Sequence, residues 1–234
     1  MMVFGALATS ERLPMHWPHL RLPFFHRRTT APQPPATTTP TRPPAPATTT
    51  PTQPAGTGYS PADGFDGPLK VNLSNRVGFT TEESEKLDQA VEILGKVFNS
   101  PEFKQQILAY AEYQGGFANT EGLTNQQIFD KIMAGAENFA PTADHEMDLD
   151  VEIRNLGWFQ RNVVGYTTPD TSVITSNRRF FDNYTPSEIA GNLAHEWMHK
   201  LGFDHDFNAT ARRPYSVPYA VGDLVESLAE QYDP

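Results

Sequence analysis

Toward the C-terminal end stands the run His195-Glu196-Trp197-Met198-His199-Lys200-Leu201-Gly202-Phe203-Asp204-His205. Two histidines four apart on a helix leave one face about 40° from each other, so both imidazoles can grip a single ion. Nitrogen ligands of this kind hold zinc at roughly 2.0–2.1 Å. Glu196 lies one step round the helix, where its carboxylate reaches a metal-bound water without having to ligate. Gly202 lets the chain turn sharply out of the helix, and the turn brings His205 back as a third imidazole. Three neutral nitrogens leave the fourth tetrahedral position open to water, the arrangement of a catalytic rather than a structural zinc site. The chemistry this predicts is metal-assisted hydrolysis. Zn2+ polarises a carbonyl and acidifies its water, and Glu196 takes the water's proton and later hands it to the leaving group.

A helix must carry the first two ligands, and its signals are written out. Thr185 is an N-cap, Pro186 sits at the first helical position, and Glu188 completes a capping box. The helix is expected to run through Ile189, Leu193 and Met198 and to stop at Gly202, a natural left-handed C-cap. Upstream, Val71 to Ser74 alternates like a first strand, and Thr80 with Glu83 opens a helix whose Leu87, Ala90, Val91, Leu94, Val97 and Phe98 share one face. Ser100-Pro101 stops it and starts another, carrying Phe103, Ile107, Leu108 and Ala111. Thr124 with Gln127 opens a third, with Ile128, Phe129, Ile132 and Met133 inward. Met147, Leu149, Val151 and Ile153 alternate with acids, as in a half-buried strand. Val163 to Thr167 and Ser172 to Thr175 read as a hairpin about Pro169-Asp170. A last helix, roughly Val221 to Gln231, packs Leu224, Val225 and Leu228. Helices and strands mixed, then a hairpin, then the ligand helix, make an α+β domain.

The eleven residues His195 to His205 resemble the metzincin clan of zinc metallopeptidases, whose signature is H-E-x-x-H-x-x-G-x-x-H. The resemblance is specific over those eleven residues and loose over the domain. It implies a zincin-type domain with a mixed sheet, an active-site helix and a C-terminal helix. It also implies an edge strand that pairs with an extended peptide, a zinc below the cleft, and Glu196 as base. The expected activity is therefore that of a zinc metalloendopeptidase with His195, His199 and His205 as ligands. One departure is plain. Metzincins carry a methionine in a turn beneath the zinc, and no methionine follows Met198. Ser216-Val217-Pro218-Tyr219 looks like that turn with Pro218 in the methionine's place. Tyr219 is placed to donate a hydrogen bond to the oxyanion, as a tyrosine near the turn does in some members, or to pack in the core. Two other arrangements stay open: a zinc-binding interaction module without turnover, and a zinc hydrolase whose third ligand is Glu226 on the last helix. Asp206 is expected to support an imidazole N–H, and His145 to be a surface residue rather than a ligand.

The rest of the chain narrows the setting. Of 234 residues, none is cysteine, which excludes disulfides, thiolate ligands and a cysteine nucleophile. The formal net charge is −10, unevenly spread: residues 1–58 hold 12 of the 21 prolines and are basic, while the remainder is acidic. Acidity argues against a nucleic-acid partner, which needs clustered Lys and Arg. Residues 1–28 read as an unstructured N-terminal segment. Met1 to Ala8 is apolar and ends in Ala6-Leu7-Ala8, a pattern of the kind signal peptidase cuts, although a cytosolic N-terminus would look the same. Residues 29–60 are a Thr/Pro-rich disordered linker of the sort found in secreted proteins, and residues 64–234 form the metallopeptidase-like domain. Asn72, Asn183 and Asn208 lie in glycosylation sequons that matter only in a secreted chain. No stretch approaches the ~20 apolar residues of a membrane span. The expectation is a secreted monomer acting on peptide or protein substrates.

Overall fold

A computed structural model describes residues 67–160 and 162–233. The expected N-terminal segment and linker lie outside the described residues. The elements are β1 (Lys70–Val77), α1 (Thr81–Phe98), α2 (Pro101–Ala109), α3 (Asn125–Ala134), β2 (Glu146–Arg154), β3 (Gly165–Thr167), β4 (Val173–Asn177), α4 (Arg178–Phe181), α5 (Pro186–Lys200) and α6 (Val217–Ala229), with short 3₁₀ turns between and after them. This is an α+β fold on a four-stranded mixed sheet. The strand order is β1-β2-β4-β3, with β1, β2 and β4 parallel and β3 antiparallel to β4. Among the described residues no helix is long and apolar enough to cross a membrane.

The helix starts follow from side chains that satisfy otherwise unpaired first-turn N–H groups. Thr80, Thr124 and Thr185 each accept from the backbone three residues on, and Glu83, Gln127 and Glu188 reach back to the cap. Ser100 caps α2 the same way. β2 alternates strictly: Met147, Leu149, Val151 and Ile153 are buried. They join one core with Leu87, Leu94 and Val97 of α1 and with Leu193, Ala194 and Trp197 of α5. Period-two burial on a sheet meeting period-3.6 burial on two helices fixes the layer arrangement.

Three elements differ from the sequence reading. α2 ends at Ala109, so Ala111 is outside it, because Tyr110 turns to an extended conformation. α4 is a single short turn with no periodicity to announce it. α6 begins at Val217, one turn earlier than expected, because Pro218 falls in its first turn, where a missing N–H costs nothing. The segment likened to the methionine turn, Ser216 to Tyr219, therefore forms the cap and first turn of α6.

Gly135 ends α3 at φ +67°, and a Cβ there would lie 2.2 Å from the Glu146 carbonyl oxygen. Gly135→Ala is expected to cost roughly 1–3 kcal/mol, since both the left-handed backbone and the approach to β2 exclude a side chain. A shift in the denaturant midpoint measures this, and an unchanged midpoint would show that the α3–β2 connection can relax.

Candidate metal centre

α5 crosses α6 closely enough that neither helix tolerates a side chain at the contact. A Cβ on Gly191 would meet the Gly222 carbonyl at 2.9 Å, and one on Gly222 would meet the His195 Cβ at 3.1 Å. This close approach carries the first turn of α6 to the face of α5 that bears the histidines. Gly202, at φ +85°, ends the helix in the left-handed region, and three residues later His205 returns.

His195, His199 and His205 converge: one nitrogen from each lies within 4.8 Å of the others. Their ring centroids are 5.3, 5.3 and 4.9 Å apart, and all three are partly exposed. Each ring has a main-chain carbonyl to hold its orientation. His199 Nδ1 lies 2.8 Å from the Phe203 carbonyl, His205 Nδ1 lies 3.2 Å from that of Asp206, and His195 bonds the carbonyl of Pro218. A carbonyl accepts only, so each ring donates there and offers its other nitrogen as a lone pair. Burial lowers all three pKa values, most strongly that of His195, with the neighbouring imidazoles adding to the effect at His195 and His205. Neutral, oriented imidazoles with convergent lone pairs fit a cation of the d-block type. The cluster can bind a metal ion.

Glu196 is buried, and burial raises its carboxyl to about 8, opposed by the charge of Lys200. The β3 edge passes directly beside it: a Cβ on Gly165 would lie 3.6 Å from Glu196 Oε1. Lys200 is fully buried at the end of α5. Its Nζ donates to the carbonyls of Thr168, Thr171 and Val173, tying the β3–β4 turn to the ligand helix. On the opposite side Tyr219 lies against two of the ligands, 4.5 Å from the His195 ring and 4.9 Å from the His205 ring. It is thus half-buried against the histidine cluster rather than in the core.

Other sequence candidates fall elsewhere. The Asp206 carboxylate does not support an imidazole. It takes a two-pronged contact from Arg212, at 2.8 and 2.6 Å, and a bond from Thr210, and only its main-chain carbonyl faces His205. The Asp204 carboxylate, by contrast, lies 3.3 Å from His199 Nδ1. His145 is half-buried and bonded to the Met133 carbonyl, outside the cluster. Glu226 packs at the α5–α6 crossing near Gly191, where burial raises its carboxyl to about 7. It is not one of the converging groups. Of the sequon asparagines, Asn72 is engaged by Glu146 and Asp148, whereas Asn208 is exposed. The three carbonyl acceptors carried no sequence signal, because backbone groups are the same at every position.

His205→Ala should weaken metal binding more than tenfold, whereas Glu226→Ala should leave it close to unchanged. A competitive chelator titration of the two variants checks the ranking, and the reverse order would make the glutamate the ligand.

No protein-family model matches the chain, and no curated protein matches it.

Proposed function

We propose that the chain is a zinc-dependent peptide hydrolase of metzincin-like design. The observation that carries the reading is the convergence of three oriented, neutral imidazoles beside a buried carboxyl on the same helix. Three histidine nitrogens suit zinc and leave it an open position. A bound zinc ion would supply Lewis acidity toward the scissile carbonyl and toward water, and its charge would favour the ionised form of Glu196. The remaining work falls to the chain. Glu196 accepts the proton of the attacking water and delivers it to the leaving amine. β3 has β4 on one side only, so its outer edge can hydrogen-bond an extended peptide and lay it past Glu196. Lys200 keeps that edge in place through the hairpin carbonyls. Tyr219 brings a phenol to the rim of the triad, where it can donate to a developing oxyanion.

The test is elemental analysis of the purified chain, joined to a peptide-library digest with and without chelator. One zinc per chain at neutral pH is expected, with cleavage that the chelator stops. Metal should be lost in mild acid, because protons compete for the imidazole lone pairs. A chain that holds no metal in zinc-containing buffer at neutral pH would sink the reading. Zinc without cleavage of any peptide would favour an interaction module instead.

A further inference from the structure

Two adjacent arginines on the loop after the third histidine are treated very differently by the fold. Arg212 is neutralised by Asp206. Arg213 has no such partner: among the described residues no carboxylate comes within ion-pair distance of it. Its Nη2 donates to the Tyr219 hydroxyl at 2.7 Å and its Nη1 to the Phe207 carbonyl at 3.3 Å, both neutral acceptors. Its Nε is buried with no hydrogen-bond partner. Its guanidinium carbon lies 5.1 Å from the centroid of the Tyr219 ring, which itself touches His195 and His205. The positive charge is close enough to contribute to the lowered pKa values of both imidazoles.

A half-buried cation beside a site that takes a second cation is unfavourable on its own. The rest of the chain does not call for it, since a protein of net charge −10 has acids to spare and, among the described residues, pairs none with Arg213. The arrangement becomes favourable when an anion lies between guanidinium and metal. Arginine's planar fork suits a carboxylate in two-pronged contact. We infer that Arg213 reads a carboxylate on the substrate next to the scissile bond, so that the site selects acidic peptides. The carboxylate can be an aspartate or glutamate side chain or a C-terminal α-carboxylate, and the chemistry at Arg213 is the same. The inference takes its substrate class from the peptide-hydrolase reading, while the anion site itself is open to a separate test.

The test is calorimetric binding to the zinc-loaded full chain carrying Glu196→Gln, with three N-acetylated alanine-based hexapeptides as probes. One has an internal aspartate and an amidated end, one has no aspartate and a free C-terminal carboxylate, and one is neutral throughout. At least one acidic probe is expected to bind about tenfold or more tightly than the neutral one. Which of the two does so distinguishes a side-chain reader from a chain-end reader. Arg213→Gln in the same background should erase the preference, and Arg213→Lys should restore part of it as a point charge. Should Arg213→Gln not fold, competition by acetate against the acidic probe on the unaltered loop reads the same site, and acetate should displace it. Equal binding of all three probes, or a preference that survives Arg213→Gln, overturns the inference. Cleavage of neutral library peptides at the same rate as acidic ones would leave the hydrolase reading standing and remove this one. A carboxylate preference in a chain that cleaves nothing would do the opposite.

Discussion

Glu196→Gln is expected to keep the metal and the fold while lowering turnover by about 10²–10⁴-fold, the usual worth of a positioned general base. Glutamine has the shape of glutamate, so the packing of α5 survives, and none of the three converging nitrogens is altered. What disappears is a group that can take a proton from water and give it up again. The position is well suited to that role, since Glu196 is almost inaccessible and Gly165 of the β3 edge runs alongside its carboxylate. A peptide threaded along β3 therefore shields the acid further from bulk water, which strengthens its interaction with the charge that develops during attack. Paired measurement of metal content and of peptide cleavage in wild type and variant checks the expectation. If wild type cleaves and the variant matches it, Glu196 is not the base. If the variant loses zinc as well, the carboxylate is a ligand or a structural support, and the proposed division of labour among His195, Glu196 and His199 fails.

Much of this centre was legible in the sequence because the relevant physics is local. Helical spacing put His195 and His199 on one face, the Thr185–Glu188 capping box and Pro186 fixed where α5 starts, and Gly202 fixed where it ends. The alternation of β2 and the hairpin about Pro169-Asp170 were equally local and are present as β2, β3 and β4. What was not legible is nonlocal or carried by backbone. The order β1-β2-β4-β3 depends on which strands find each other, which no periodicity encodes. The acceptors behind the imidazoles are carbonyls of Phe203, Asp206 and Pro218, invisible in a list of side chains. Asp206 was misread for the same reason: its carboxylate had a competitor, Arg212, six residues away, which makes the better charge pair. Pro218, expected in the place of a turn methionine, lies in the first turn of α6 with its carbonyl bonded to His195.

Trp197→Ala is expected to cost roughly 3–5 kcal/mol, the range for emptying a fully buried aromatic site. The ring lies 5.7 Å from that of Phe98, bridging α5 and α1. Its Nε1 also donates to Glu137 Oε1 at 2.9 Å. Glu137 is itself wholly buried on the loop after α3. It receives a second bond from the Asp148 backbone N–H, and its Oε2 has no partner. Burial raises the Glu137 carboxyl from its ordinary value, so the fold favours the neutral form more than the unfolded chain does. Stability tied to this group is therefore fully present below the unfolded carboxylate's pKa and is lost as pH rises toward the folded value. Glu137→Gln should remove that fall, gaining on wild type as pH rises above the unfolded glutamate value of about 4.3. Trp197→Phe separates packing from the hydrogen bond: it keeps most of the ring, takes one of the carboxyl's two bonds, and should cost about 1–3 kcal/mol. The same loop holds the end of the ligand helix, since the Asn138 N–H donates to the Lys200 carbonyl at 2.8 Å. Loosening Trp197 should then weaken metal binding too, although Trp197 is not one of the converging groups. Denaturant unfolding of the three variants at pH 5 and 8, in the presence of chelator so that metal does not mask the fold's own stability, checks the set. Trp197→Phe costing as much as Trp197→Ala would place the whole effect in the Glu137 bond. A Trp197→Ala chain within about 1 kcal/mol of wild type would mean the α1–α5 contact can collapse around the cavity.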